Sequence, residues 1–411
     1  MPILASMRGN DAVAYAVKLA RVEVVAAYPI TPQTTVVEKI DELIARGEMD
    51  ADMIHVESEH SALAAAYGAA AGGARAFTAT SSHGLAYMYE MLWWTAASRI
   101  PLVMAIITRA LGPPWNIHVE HADIMSTRDT GWLIAMAENN QEVLDLALMM
   151  FRVTEDPRVY LPGIVGLDGF ILSHTVEPLE LPDQETVDEF LPPRRQPYVI
   201  EPGEPKAMGN LVPDEYFEEL RMDMHQSLAR ARQVVMEAGR DYGKLTGRSY
   251  ESLVECYRCS DADVVIAGMG SWMGDAKIAA DVLREKGIRA GVLRLRWLRP
   301  FPWEEVREAA IGKKLVVVLD RSVSFSHAGP LFLEISSALE ARPSMVGVLA
   351  GIGGVDISYE DIARIVEHAY SMAEEKGRVY IPAYWYHLGK FHPMPPYEPA
   401  FLVPQELPRG E

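Results

Sequence analysis

Cysteine is nearly absent from this sequence. Among 411 residues there are two, Cys256 and Cys259, in the stretch ECYRCS. That excludes a disulfide framework, and it excludes an iron–sulfur cluster held by this chain alone, because such a cluster needs four thiolates. A CxxC pair suits a redox couple, half of a zinc site shared with another chain, or plain reduced cysteines; the last is expected near a domain junction. Also missing is any run of roughly 18 apolar residues. So is an opening with a basic start, an apolar stretch and a small-residue cleavage site. No membrane span is therefore expected, and the cytoplasm is the expected location. Positive charge is in deficit: the net charge is −19. Nucleic-acid phosphates would be repelled, so a nucleic-acid partner is not expected. No repeat of solenoid period is present.

What is present is a globular composition, 49% apolar and 23% charged, in a chain too long for one core. Two domains are expected. The first stretch alternates strands and helices. Asn10 is placed to cap the helix DAVAYAVKLA. The strand VEVVAAY follows, then the helix TTVVEKIDELIARG, the strand DMIHVES and the Ala-rich helix EHSALAAAYGAAAGG. ARAFTATS reads as a strand, GLAYMYEMLWWTAAS as a helix and PLVMAIIT as a strand. Strands apolar throughout indicate a parallel sheet covered on both faces. From about residue 175 to 215 the chain turns rich in proline and charge and reads as an extended connector. A polar helix over roughly 214–241 follows. A second α/β stretch starts at Ala262, with strands in ADVVIAGMGS, RAGVLRLRWL, KLVVVLD and MVGVLAG and helices between them. The last residues, from 381, are rich in proline and aromatics and read as an arm ordered by packing on something else. The expected domains are 1–258, including the connector, and 259–411.

In an open parallel sheet, ligands bind beyond the carboxyl ends of the strands. The polar residues fall there. Thr31 follows the first strand, in PITPQT. Glu57, Glu59 and His60 follow the second, where a helix begins. Ser81, Ser82 and His83 follow the third, and Arg109 comes directly after the fourth. A hydroxyl, a carboxylate, a Ser/His loop and a guanidinium thus converge on one edge. Each also has a plainer role. Thr31 can be a turn hydroxyl between prolines that preset φ. Glu59 can complement a helix N-terminus, and His83 can be a structural imidazole. Arg109 lies behind an apolar run, so it must meet an acid from the protein or from a ligand.

Taken together, AAYPITPQTT, VESEHSALAAAYGAAAGGARAFTATSSHGLAYMYE, PLVMAIITRALGPPWNIH, RDTGWLIAMAENNQEVLD and VLDRSVSFSHAGPLFLEISSAL resemble the α chain of pyruvate:ferredoxin oxidoreductase. The resemblance covers nearly the whole chain and is weakest in the connector and the C-terminal arm. It implies a domain like the pyrimidine-binding domain of thiamine enzymes, followed by a transketolase-C-like domain. It implies a complex that joins a 2-oxoacid to thiamine diphosphate, releases CO2, passes electrons through [4Fe–4S] clusters to ferredoxin and hands an acyl group to CoA. Carried onto this sequence, Glu59 contacts the aminopyrimidine ring, with Pro29, Ile30, Ser82 and His83 around the cofactor. Thr31 and Arg109 bind the substrate. The chemistry agrees: a carboxylate on the ring nitrogen favours the tautomer that takes the thiazolium proton. A guanidinium fork holds the oxoacid carboxylate while a hydroxyl adds a donor. The proline-framed turn then fixes Thr31 where slack would be costly. Glu59, Thr31 and Arg109 are the expected catalytic set.

The sequence departs from the pattern of pyruvate-type members at His83, at Thr108 and in WNIHVEH. Pyruvate is nevertheless the expected substrate, because Thr31 is small and neutral; a branched-chain oxoacid, 2-oxoglutarate or oxalate are the alternatives. GLDGF at 166–170 is a superficial echo of a Mg2+-binding signature and reads as a structural turn, so no metal site is expected in this chain. The resemblance implies that thiamine diphosphate is shared with a β chain that also holds Mg2+, with a γ chain and a cluster-bearing, ferredoxin-like δ chain completing the complex. Two rivals remain. GMGSWMG at 268–274 follows a strand and opens a helix as a nicotinamide-dinucleotide loop would, though its spacing is GxGxxxG and no acidic residue ends the next strand. A non-catalytic scaffold subunit is the other.

Overall fold

The computed structural model describes residues 3–204, 206–340 and 342–393. Two seven-stranded sheets carry the fold, and a two-stranded ribbon flanks the first. The first half supplies β1 (Ile3–Arg8), β2 (Val24–Ala27), β3 (Asp52–His55), β4 (Ala76–Thr80), β5 (Val103–Thr108), β6 (Leu133–Met136), β7 (Gly163–Asp168) and β8 (Val176–Leu181). The second half supplies β9 (Val254–Tyr257), β10 (Val264–Gly268), β11 (Ala290–Leu295), β12 (Trp297–Arg299), β13 (Leu315–Asp320), β14 (Ser344–Leu349), β15 (Tyr380–His387) and β16 (Lys390–Pro393).

The first sheet runs in the order β12-β6-β7-β5-β4-β2-β3. All its pairings are parallel except β12 with β6. Its central strands are apolar on both faces because helices cover both; β5 is buried along its whole length. Each fully buried Ile or Val there contributes about 1.5–3 kcal/mol. The chain leaves β2 outward to β3 and then returns to β4 on the other side of β2. That reversal opens a crevice at the carboxyl ends of β2 and β4, where such sheets bind ligands.

The second sheet runs β16-β15-β14-β13-β10-β11-β9, parallel in its middle and antiparallel at both edges. Buried ion pairs lock it to the first unit. Arg294, wholly buried, bonds Glu142 at 2.7 and 2.8 Å and Glu255 at 2.6 and 2.8 Å. Arg296 adds a 3.0 Å bond to Glu142. Burial alone would raise the Glu142 pKa, but these guanidinium groups outweigh it and hold it at about 2.

Several sequence expectations change here. Asn10 does not cap its helix, which starts at Gly9 after an Arg8–Asp11 capping box. Its amide donates instead to the Pro32 carbonyl at 2.8 Å and the Thr35 hydroxyl at 2.7 Å, bracing the proline turn. The helix expected over 84–98 is interrupted at Met88 into Ser82–Tyr87 and Tyr89–Ala97. The supposed connector is partly ordered: β8 pairs antiparallel with β1, and Gln184–Phe190 is helical. The polar helix is longer than expected, Asp214–Thr246. RAGVLRLRWL is not one strand, because the chain passes from the second sheet to the first between β11 and β12. The C-terminal arm opens as the β15–β16 hairpin on the second sheet, and its residues from 394 lie outside those described.

Candidate active site

Thr31 sits in the turn after β2. The Ile30 carbonyl accepts from Gln33 N–H at 2.7 Å and Thr34 N–H at 3.1 Å, while the Gln33 side chain accepts from Ile30 N–H at 3.2 Å. The Thr31–Pro32 peptide is cis. Thr31 and Pro29 are exposed and Ile30 is half-buried. Among the described residues the Thr31 hydroxyl has no hydrogen-bond partner, but its carbonyl accepts from Arg109 Nη1 at 2.7 Å.

Arg109 is only 4% exposed. Its Nε reaches the Asn116 carbonyl at 3.4 Å, and its Cζ lies 6.0 Å from the centre of the Trp115 ring. No carboxylate pairs with its side chain among the described residues, and its Nη2 makes no hydrogen bond there. Burial lowers its pKa, partly offset by Asp123. A desolvated guanidinium with an unused donor edge is a site for an anion.

Ser82 opens the short helix after β4, at φ 47°, in the left-handed region. Asp123 holds it there. One carboxylate oxygen of this buried residue accepts from Ser82 N–H at 3.0 Å and from Arg109 N–H at 2.9 Å, tying the ends of β4 and β5 together. Burial pushes the Asp123 carboxyl up to about 7 despite these donors. The Ser82 hydroxyl donates to the Ala110 carbonyl. His83 Nε2 accepts from Gly112 N–H at 3.0 Å, and its Nδ1 lies 3.2 Å from the Ser82 hydroxyl. With the hydroxyl proton committed to Ala110, Nδ1 carries the imidazole proton and donates to Ser82.

Glu59 is the first residue of the helix Glu59–Ala71, whose cap is the Ser58 hydroxyl, accepting from Ser61 N–H at 3.2 Å. The residue is 9% exposed, and its carboxylate has no hydrogen-bond partner among the described residues. It lies over Gly84. A Cβ at that glycine would fall 2.7 Å from Glu59 Oε1 and 2.6 Å from the Thr80 hydroxyl. Thr80 is buried, and its hydroxyl has no partner either. An unpaired carboxylate and an orphaned hydroxyl, both packed closely on Gly84, fit a polar heterocycle that offers a donor, as an aminopyrimidine does. Adjacent strand ends thus bring Thr31, Ser82, His83 and Arg109 into one chain of contacts, with Glu59 beside the residue after His83.

The loop 110–121 closes this edge and reads as a fixed cover. Besides the bonds of Gly112 to His83 and of Asn116 to Arg109, the Asn116 amide donates to the Gly353 carbonyl at 2.9 Å, and Gly354 N–H donates to the Val119 carbonyl at 3.1 Å. His121 ends the loop on Asp168, at 2.7 Å. Asp168, the last residue of β7 and the acid of GLDGF, is fully buried. It also accepts from Ser271 N–H at 2.9 Å, from the Ser271 hydroxyl at 2.5 Å and from Arg321 at 3.1 Å. Burial raises its pKa, but His121, Arg321 and Ser271 hold it well below the usual carboxylate range. Two motifs left apart by the sequence therefore meet. The Gly-rich loop of GMGSWMG spends its N–H on Asp168, and at Gly270, φ 86°, a Cβ would lie 2.9 Å from that carboxylate. A dinucleotide phosphate would need the space Asp168 fills.

Asp123, Thr80, Gly84, Trp115 and Asn116 were missed by sequence reasoning. Asp123 lies in the apolar ADIMS, whose lone acid was the available signal. Cys256 is exposed on β9, and Cys259 is buried and free. Among the described residues no three metal-binding side chains gather, and no helix is long and apolar enough to cross a membrane.

This architecture is a thiamine-enzyme type of α/β pair. Its solved neighbours include a 2-oxoglutarate:ferredoxin oxidoreductase from Magnetococcus marinus, at TM-score 0.69 and 20% identity, over 89% of this chain and 65% of that one. A split gene transketolase aligns at TM-score 0.52 and 14% identity, over 89% of this chain and 99% of that one. Residues 15–240 match the family described as pyruvate flavodoxin/ferredoxin oxidoreductase, thiamine diP-bdg, and residues 262–362 match pyruvate:ferredoxin oxidoreductase core domain II. The chain is 47% identical to the ketoisovalerate oxidoreductase subunit VorA of Pyrococcus abyssi, over 94% of this chain and 98% of that one. It is 44% identical to the pyruvate synthase subunit PorA of Pyrococcus furiosus, over the same shares. The chain belongs to the α subunits of the 2-oxoacid:ferredoxin oxidoreductases.

Proposed function

We propose that this chain supplies the pyrimidine-side wall and the carboxylate clamp in the oxidative decarboxylation of a monocarboxylic 2-oxoacid, with CoA as acyl acceptor and ferredoxin as electron acceptor. The observation that carries the reading is Arg109: buried, without a carboxylate partner, and seated against the turn that presents the free Thr31 hydroxyl. One guanidinium suits one carboxylate; a diacid would call for a second cation. Pyruvate is the first substrate of this proposal, since Thr31 is small and neutral. A branched-chain oxoacid is the second, because a ketoisovalerate oxidoreductase subunit is among the similar relatives.

Glu59 and Thr80, packed on Gly84, are the residues that would hold the aminopyrimidine part of thiamine diphosphate. When bound, that cofactor supplies the nucleophilic carbon and the electron sink for decarboxylation. Glu59 would hold the ring through a hydrogen bond between its carboxyl group and a ring nitrogen. Arg109 orients the substrate carboxylate, and the Thr31 hydroxyl donates to an oxygen of the oxoacid. Asp123 and Asn10 hold those two groups from behind, so little reorganisation is left for the reacting complex. Diphosphate, Mg2+ and the [4Fe–4S] clusters are assigned in this proposal to partner subunits. The test is the native complex, purified with its partners and assayed for viologen reduction across a panel of 2-oxoacids with CoA. Reduction that depends on a monocarboxylic oxoacid supports the proposal; none with any 2-oxoacid would falsify it.

A further inference from the structure

Trp115 is 79% exposed, an unusual state for an indole in a loop pinned on both sides. On one side Gly112 is bonded to His83 at 3.0 Å; on the other, Asn116 is bonded to Gly353 at 2.9 Å. His83 does more than bond the loop. Its ring stacks on the indole, with centroids 6.0 Å apart and planes inclined by 27°. Both its nitrogens are engaged with the loop, Nε2 directly at Gly112 and Nδ1 through the Ser82 hydroxyl that donates to Ala110. The indole therefore has a defined place, and that place is beside the Arg109 guanidinium, at 6.0 Å. A small carboxylate held by Arg109 would bring the rest of its body within reach of that apolar face.

We propose that Trp115, positioned by His83, is the wall against which the aliphatic side chain of the 2-oxoacid packs, so that this pair sets substrate choice. The inference rests on Arg109 holding the substrate carboxylate. The indole should favour each added apolar carbon several-fold relative to the same site without it. Trp115 touches the substrate in this account, whereas His83 acts through Trp115.

The experiment uses the assembled complex with pyruvate, 2-oxobutanoate and 2-oxoisovalerate. It reads kcat/KM for each, or the inhibition constant of any that is not turned over. Trp115→Ala is expected to lower the preference for 2-oxoisovalerate relative to pyruvate about tenfold, and Trp115→Phe to restore most of it. His83→Ala should reproduce the lost preference, and His83→Gln, which keeps an acceptor for Gly112, should recover part of it. An equal loss on all three acids with weaker subunit assembly makes Trp115 a partner contact and overturns the proposal. So does an unchanged preference, or one that rises. A wild-type complex inactive on every 2-oxoacid instead overturns the reading of Arg109 beneath it.

Discussion

Gly84→Ala is the sharpest probe of the site. The added methyl would sit 2.7 Å from Glu59 Oε1 and Cγ and 2.6 Å from the Thr80 hydroxyl. Ordinary carbon contacts begin near 3.5 Å, so a shift of about 0.8 Å must be found somewhere. The backbone of the helix Ser82–Tyr87 is held by Asp123 at its start, and Thr80 lies within β4. The Glu59 side chain has no bond to hold it and yields, and the Thr80 hydroxyl, which has no partner either, must turn away as well. Overpacking of this kind costs about 1–3 kcal/mol of stability, which leaves a domain of this size folded. An ångström of misplacement at a reacting group costs on the order of 100-fold in rate.

The assay is viologen reduction by the reconstituted complex at saturating oxoacid and CoA, with thiamine diphosphate titrated and thermal unfolding run alongside. Turnover about 100-fold down with a small loss in Tm is expected. The loss should be shared with Glu59→Gln, since both changes act through one carboxylate; the double variant should be little worse than either single one. Wild-type turnover in Gly84→Ala, or penalties that simply multiply in the double variant, would refute the idea that Glu59 works from where it is seen.

Arg109→Ala should raise the KM for the oxoacid on the order of 100-fold or more while leaving the KM for CoA alone; unchanged turnover would favour a scaffold role. Asp168→Ala strands Arg321 without its buried carboxylate and should cost about 3–5 kcal/mol in urea unfolding of the α chain; a loss below 1 kcal/mol would remove Asp168 as the joint between the two units. Asp320, buried, is pushed up to about 7 even though Leu331 and Phe332 N–H groups donate to it. A carboxyl raised on folding gives stability that is complete below its unfolded pKa and lost as pH climbs through about 7. Asp320→Asn should therefore flatten the fall in Tm between pH 5 and pH 8, an effect of about 2–3 kcal/mol over that window; parallel pH profiles for variant and wild type would contradict it. NAD(P)H should give no fluorescence change on addition, because Asp168 occupies the Gly-rich loop; saturable binding would contradict that.

The parallel core was legible because its strands are apolar on both faces, a pattern set by helices on each side and visible in PLVMAIIT without any partner. Edge elements were not. β1, β8, β12 and β16 are short or half-exposed, and only their cross-strand partners make them strands. RAGVLRLRWL shows the limit well: nothing local tells that hydrogen bonding changes sheet between Leu295 and Trp297. Asn10 shows another. Its residue type suits a cap, but the nearby Arg8–Asp11 pair takes that position and leaves the amide free to reach Pro32, twenty-two residues on in the chain.

At the site, the residues that could be read were those ending strands, because a parallel sheet sends all such ends to one edge whatever the loops do. Thr31, Ser82, His83 and Arg109 needed no long-range knowledge beyond that rule. Asp123 could not be found that way, since its role is to satisfy the backbone N–H groups of Ser82 and Arg109, and backbone donors leave no trace in sequence. The same holds for Gly84, whose meaning lies in the carboxylate above it. GLDGF and GMGSWMG carried the opposite hazard. Each resembles half of a phosphate or metal site when taken alone, yet an acid from one unit fills the anion-binding turn of the other. A glycine-rich turn is a demand for negative charge, and a buried aspartate with cationic neighbours can meet that demand as fully as a ligand does.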